Sequence, residues 1–158
     1  MLTAIQSRLN PIITPVYRLY WRLSRGLTLG VRVLAADEAG RIMLVRHTYR
    51  PGWYLPGGGV ERGETAESAA VRELAEEAGL HATAPMELIG LYSNHHSHRG
   101  DHVALYRAPA VVACPPDSAM EIAERGFFDR AALPDAVTAG TRRRLEEAYD
   151  GAPQAAHW

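Results

Sequence analysis

Between Pro56 and Leu80 the chain reads PGGGVERGETAESAAVRELAEEAGL, and this run restricts the fold more than any other segment. Proline followed by three glycines forces a tight turn, with backbone free to approach a ligand or to take positive φ. A helix must follow. Thr65 suits the N-cap, Glu67 the positive first turn, and Gly79 the left-handed position just past the end. On that helix Ala70, Val71, Leu74 and Ala78 make a stripe for burial. Glu73, Glu76 and Glu77 fall at i, i+3 and i+4, which stacks three carboxylates on the adjacent face. Like charges gathered so closely repel, and a divalent cation with oxygen ligands turns that repulsion into binding. Ala66 and Ala69 share this face, and their small size would leave room for a ligand.

The remaining elements supply a sheet. Leu27–Ala36 and Arg41–His47 alternate as two strands about a turn at Asp37–Gly40, which reads as a hairpin. Trp53–Leu55 is a short strand, Met86–Ser93 another, and Asn94–Asp101 a polar loop. His102–Ala113 form a long strand in which Pro109 implies an edge or a bulge. Ile122–Asp129 and a closing helix over Thr141–Tyr149 complete the chain. Strands on both sides of one strongly marked helix, with a second helix at the end, predict an α/β fold: a mixed sheet with helices on both faces.

Size and charge narrow the function. A chain of 158 residues has length for one domain with a real core, not for two. Formal net charge is −1, so global charge favours neither DNA nor an anionic membrane as partner. Every basic side chain is arginine, the better bidentate holder of phosphate oxygens. The single Cys114 rules out an internal disulfide, and fits a reducing compartment. No run approaches the roughly 18 to 20 apolar residues of a membrane span. Arg8, Arg18, Arg22 and Arg25 interrupt the apolar stretches that a signal peptide needs. The expected location is therefore the cytoplasm. Residues 1–26 read as an N-terminal extension, with a short basic and aromatic helix over Val16–Arg25. Such a helix suits a membrane surface or, better for its length, packing on its own domain or on a second subunit in a homodimer. Residues 27–150 read as the main domain and 151–158 as a tail.

Gly58, Glu64, Arg72, Glu73, Leu74, Glu76, Glu77, Gly79 and Leu80 together fill every defined position of G-x5-E-x7-R-E-U-x-E-E-x-G-U, where U is aliphatic. This is similar to the signature box of the Nudix hydrolases, and nine matches over 23 residues make chance a poor explanation. LVRH at residues 44–47, WYLPGGG at 53–59 and FF-x-x-x-x-LP at 127–134 also resemble the family, over about Leu27–Tyr149. The resemblance implies an α/β/α sandwich and hydrolysis of a nucleoside diphosphate linked to another moiety, with Mg²⁺ or Mn²⁺ as cofactor. It implies Glu73, Glu76 and Glu77 as metal ligands, with a carbonyl at Gly57 as a further one, and Gly58 beside the substrate. Arg72 and Glu64 would orient the glutamates.

A catalytic base belongs to the box in some members and to a downstream loop in others. Glu121, six residues before Phe127, resembles the downstream residue, with Glu124 as competitor. Arg46, Arg50 and Arg99 are candidate phosphate contacts. His95, His96, His98 and His102 raise zinc, but adjacent histidines in an extended loop point apart, which favours a substrate-mouth role. Trp53 just before the turn suits packing better than base stacking. The markers of ADP-ribose and diadenosine polyphosphate subgroups are missing, since His95–His98 occupy those positions. A nucleoside triphosphate or nucleotide-sugar is the preferred substrate class. The alternatives are a nucleotide-sensing module without turnover, against which the complete box argues, and a diphosphate isomerase, which would need Cys114 as a reactive thiol.

Overall fold

The computed structural model describes residues 26–116 and 121–158. The expected helix at Val16–Arg25 lies outside the described residues. Strands β1 (Thr28–Ala35), β2 (Ile42–His47), β3 (Leu80–Ala82), β4 (Glu87–Ser93), β5 (Asp101–Ala108), β6 (Val111–Ala113) and β7 (Ile122–Phe128) combine with helices α1 (Ala66–Glu73) and α2 (Ala139–Tyr149). The largest sheet has the order β1-β5-β4, with β1 parallel and β4 antiparallel to β5. Two antiparallel pairs, β2-β7 and β3-β6, flank it.

Strand periodicity sends alternate side chains to opposite faces. From β1, Val31, Val33 and Ala35 join Ala69, Ala70 and Leu74 of the α1 unit in one core. Leu34 from the same strand joins Ile42, Leu44, Leu105 and Leu145 of α2 in a second. Helices therefore cover both faces, which gives the expected α/β/α sandwich. Trp53 packs in the second core, with its ring edge-on to Phe128 at 4.8 Å.

Three local expectations are corrected by tertiary pairing. The β1-β2 hairpin is reduced to its turn and one bridge, Ala36 to Ile42. A strand has two edges, and both edges of β1 are taken: β5 holds one, and Val31 and Val33 N–H donate to Gly58 and Pro56 carbonyls at 2.8 and 2.9 Å on the other. The long strand His102–Ala113 is split, because Pro109 lacks the N–H that the ladder needs; β6 then pairs with β3 instead. Ala66 and Ala69 do not hold a ligand face open. Ala69 is fully buried in the first core, and Ala66 packs against it.

Candidate active site

The helix begins as its sequence dictates. Thr65 caps it, its side chain accepting from Ser68 N–H at 3.1 Å while the Ser68 hydroxyl accepts from Thr65 N–H at 3.0 Å. It ends differently. Leu74–Ala78 form a π-helical turn closed by Gly79 at φ 65°. One extra residue in the turn re-aims Glu76 and Glu77, and such bulges concentrate at functional sites.

The glycine loop lies beside this turn. Gly57 sits at φ 142°, and a Cβ there would collide with the Val31 carbonyl. A Cβ on Gly58 would collide with the Glu73 carboxylate. Glycine is thus required at both positions by close approach, to a strand in one case and to an acid in the other. Gly57 N–H donates to Glu77 Oε2 at 2.8 Å. What the structure displays at Gly57 is this donor; the backbone also brings the residue into the cleft lining.

Arg72 ties the box carboxylates together. Its Nε and Nη2 donate to the two Glu64 oxygens at 3.0 Å each, and Nη1 donates to Glu73 at 2.8 Å and to Glu76 at 3.2 Å. The Glu64 carboxyl is held below its ordinary range by this bonding, and the Arg72 guanidinium is raised in turn. Glu73 and Glu77 are buried. Burial pushes Glu73 up against the opposing pull of Arg72, and pushes Glu77 up to about 7 despite the Gly57 N–H and Arg32. Among the described residues no three His, Cys, Asp or Glu side chains converge as a preformed metal cage. Glu73 and Glu76 instead face the Arg72 guanidinium.

Two residues that sequence reasoning missed support the site, one lining the cleft and one buried behind it. Arg32 lines the cleft from β1 and donates to the Leu55 carbonyl at 3.4 Å. Its signal was a lone charge in the apolar alternation VRVLA. His47, 2% exposed, ends β2 with Nε2 2.6 Å from Arg50 Nη2. A guanidinium only donates, so Nε2 accepts and the ring proton sits on Nδ1. Among the described residues that Nδ1 has no hydrogen-bond partner, and it lies 3.6 Å from Glu77 Oε1. Burial, then Arg50 and Arg32, push His47 down to about 4, so the ring is neutral at pH 7.

The cleft encloses about 1430 Å³. Gly57, Gly58, Glu73 and Glu77 form its floor; Arg50, Arg99 and Glu121 lie on its walls. Arg50 stacks its guanidinium 4.0 Å from the centroid of Tyr54. Glu121 is exposed, and its carbonyl accepts from Thr48 N–H at 2.9 Å. Arg46 is not among the cleft residues: it pairs with Glu124 across β2-β7 at 2.9 Å, which also commits Glu124. His98 reaches the cleft, whereas His96 stacks on His157 at 4.9 Å, so the histidines do not converge on a zinc ion. Cys114 lies at the far end of the π turn, its N–H donating to the Gly79 carbonyl, and is not a cleft residue.

Known proteins resemble the chain in sequence and in fold. A protein of Bacillus subtilis (strain 168) with the provisional name 8-oxo-dGTP diphosphatase is 46% identical over 65 residues, covering 41% of this chain and 43% of its own. An RNA pyrophosphohydrolase of Shewanella piezotolerans (strain WP3 / JCM 13877) is 40% identical over 57 residues, 36% of this chain and 33% of its own. The chain thus matches less than half the length of these relatives. The crystal structure of a MutT NUDIX hydrolase from Burkholderia pseudomallei superposes with a TM-score of 0.65 at 26% identity, over 77% of this chain and 97% of that one. The family profile described as NUDIX domain matches residues 26–148, from before β1 to the last turn of α2. With its box, sandwich and carboxylate helix all in place, the chain belongs to the Nudix hydrolase family.

Proposed function

We propose that the chain is a divalent-metal-dependent pyrophosphohydrolase that cleaves a nucleoside diphosphate linked to another moiety, such as a nucleoside triphosphate or a nucleotide-sugar, by attack of water on phosphorus. The observation that carries this reading is the pairing of an acidic floor, Glu73 and Glu77, with arginine walls in one cleft. The relatives named for 8-oxo-dGTP and RNA support a substrate with a nucleotide part.

The donor set fits Mg²⁺ or Mn²⁺, because it consists of carboxylates and backbone, with hard oxygen donors. Among the described residues the buried Glu77 has no arginine in ion-pair contact, and the attraction of Arg32 and Arg50 does not offset its burial, which is the defect a cation would remedy. Glu73, Glu76 and Glu77, with the backbone at Gly57, would hold the ion. When bound, it neutralises the diphosphate and acidifies the attacking water.

The chain's own groups do the rest. Arg50, Arg32 and Arg99 orient the phosphates by charge-assisted hydrogen bonds. His47 holds Arg50 in place from behind by accepting from its guanidinium. Glu64 fixes Arg72, and Arg72 spaces Glu73 from Glu76. Glu121, on the open wall of the cleft, accepts the proton of the attacking water.

A panel of nucleoside triphosphates, nucleotide-sugars and dinucleotides, incubated with Mg²⁺ and assayed for released phosphate after a coupling phosphatase, tests the activity. Turnover of at least one class is expected. Glu76→Gln should lower kcat for that substrate by about 100-fold or more. Glu121→Gln should lower kcat and flatten the acidic limb of its pH profile while leaving Mn²⁺ affinity unchanged. Tight nucleotide binding without any turnover would assign nucleotide sensing instead.

A further inference from the structure

One wall of the cleft owes nothing to the box. Residues 151–158 turn back along the end of β4: Ser93 N–H donates to Ala156 O at 2.9 Å, and Trp158 N–H donates to Ser93 O at 3.0 Å. Ala155 N–H donates to Glu147 Oε1 at 2.9 Å, and Gln154 Nε2 to the Tyr92 hydroxyl at 3.2 Å. Arg144, with no exposed surface, donates to the His157 carbonyl at 3.1 Å, and Arg143 donates to the backbone oxygen of Trp158. The result is an indole at the cleft, beside Arg143 and the first turn of α2.

The helix is notched to receive it. A Cβ on Gly140 would stand 2.5 Å from the indole Nε1, so only glycine seats the ring there. Glycine weakens a helix, and a buried guanidinium is costly unless paired, as Arg144 is with Glu147. Capping the second core needs neither concession, because a leucine packed on Tyr92 would do it. The ring is only half-buried: the Tyr92 ring lies edge-on at 5.8 Å, the Arg144 guanidinium covers it at 5.3 Å, and the rest fronts the cleft.

We propose that Trp158 is the stacking platform for the planar heterocycle of the substrate, a nucleobase, with Arg143 and Arg99 on the rim near the sugar and phosphates. This rests on reading the cleft as a nucleotide pyrophosphohydrolase site. An indole has the widest π face of any side chain, and base stacking tolerates many bases, so the platform contributes affinity more than base choice.

Two measurements test it. Titration of the full chain with guanosine monophosphate and with ribose 5-phosphate follows tryptophan fluorescence and needs no turnover. The nucleotide should quench and the sugar phosphate should not, and Trp158→Phe should remove most of that quench while keeping the thermal midpoint. Steady-state kinetics with the best panel substrate should show KM raised about 5- to 100-fold in Trp158→Leu, with kcat nearly kept, and a smaller rise in Trp158→Phe. Gly140→Ala, which displaces the indole without altering it, should raise KM as well. Folded Trp158 variants with wild-type KM and unchanged quenching would overturn the platform. A parallel fall of kcat and thermal midpoint at constant KM would also overturn it, by reducing Trp158 to packing. Failure of the wild-type chain to turn over any panel member would strike the hydrolase reading alone, since the quench decides stacking independently.

Discussion

At the scale of single residues, Glu77 has the most demanding environment in the cleft. Its carboxyl is raised from 4.5 to about 7 by burial, so the fold holds its proton more tightly than the unfolded chain does. The stability this contributes is complete below pH 4.5 and is lost as pH rises through 7. His47 has the opposite sign. Its folded value is depressed from 6.5 to about 4, so its contribution is present above pH 6.5 and is lost as pH falls through 4. Above pH 6.5 the His47 slope is gone, and comparison with a Glu77 variant isolates the Glu77 slope. Metal-free wild type should therefore lose about 1 kcal/mol relative to Glu77→Gln between pH 6 and pH 8, measured by urea unfolding. Equal pH dependence in the two proteins would refute the buried, proton-holding Glu77. The acidic run was legible from spacing alone, because i, i+3 and i+4 lie close on any regular helix; the π turn that aims Glu77 with Glu73 into the cleft was not. Arg32 and His47 were not, because a polar side chain at one strand position says nothing about what its face will meet in the fold.

At the scale of elements, the decisive contact joins loop and helix. The glycine loop runs along β1 through the Val31 and Val33 hydrogen bonds, and that track brings Gly58 against Glu73. Gly58→Ala must displace either the loop or the carboxylate. We expect it to fold, with a thermal midpoint a few degrees lower, and to lose at least ten-fold in Mn²⁺ affinity by paramagnetic titration. Unchanged affinity would show that Glu73 is not needed in its present place. The capped start of α1 and its glycine stop could be read directly, since caps are local chemistry. The π turn could not, because the register of a helix's last turn responds to what its side chains pack on. The same reason broke the expected hairpin: β1 and β2 had a good turn between them, but other partners took their edges.

At the scale of the whole molecule, α2 and residues 151–158 are locked together by one buried ion pair. Arg144 is fully buried, with Nη2 2.6 Å from Glu147 and its guanidinium 3.9 Å from the Tyr92 ring. Burial pulls the guanidinium below its usual value and Glu147 opposes this. Glu147→Ala leaves that charge unpaired and should cost about 3–5 kcal/mol in chemical denaturation. Arg144→Met with Glu147→Leu should recover much of the loss, and failure to do so would locate the defect in the Ala155 and His157 backbone contacts instead. Ligand linkage acts on the same scale. Mg²⁺ at 100 times its Kd should raise wild-type stability by about 2.7 kcal/mol, and Glu76→Gln by clearly less, seen as the shift of the thermal midpoint.

By itself the sequence determined the metal-suited helix, its caps, the glycine turn before it and the chemistry they imply, because periodicity, capping and charge repulsion act between near neighbours in the chain. Tertiary structure alone decided which edges the strands share, that Ala66 and Ala69 are core rather than ligand space, and that Arg46 spends its charge on Glu124. It also decided that Arg32, His47 and Trp158, from three distant segments, front or back the same cleft. Those outcomes depend on long-range pairing and burial, where each strand edge and each face can be used only once.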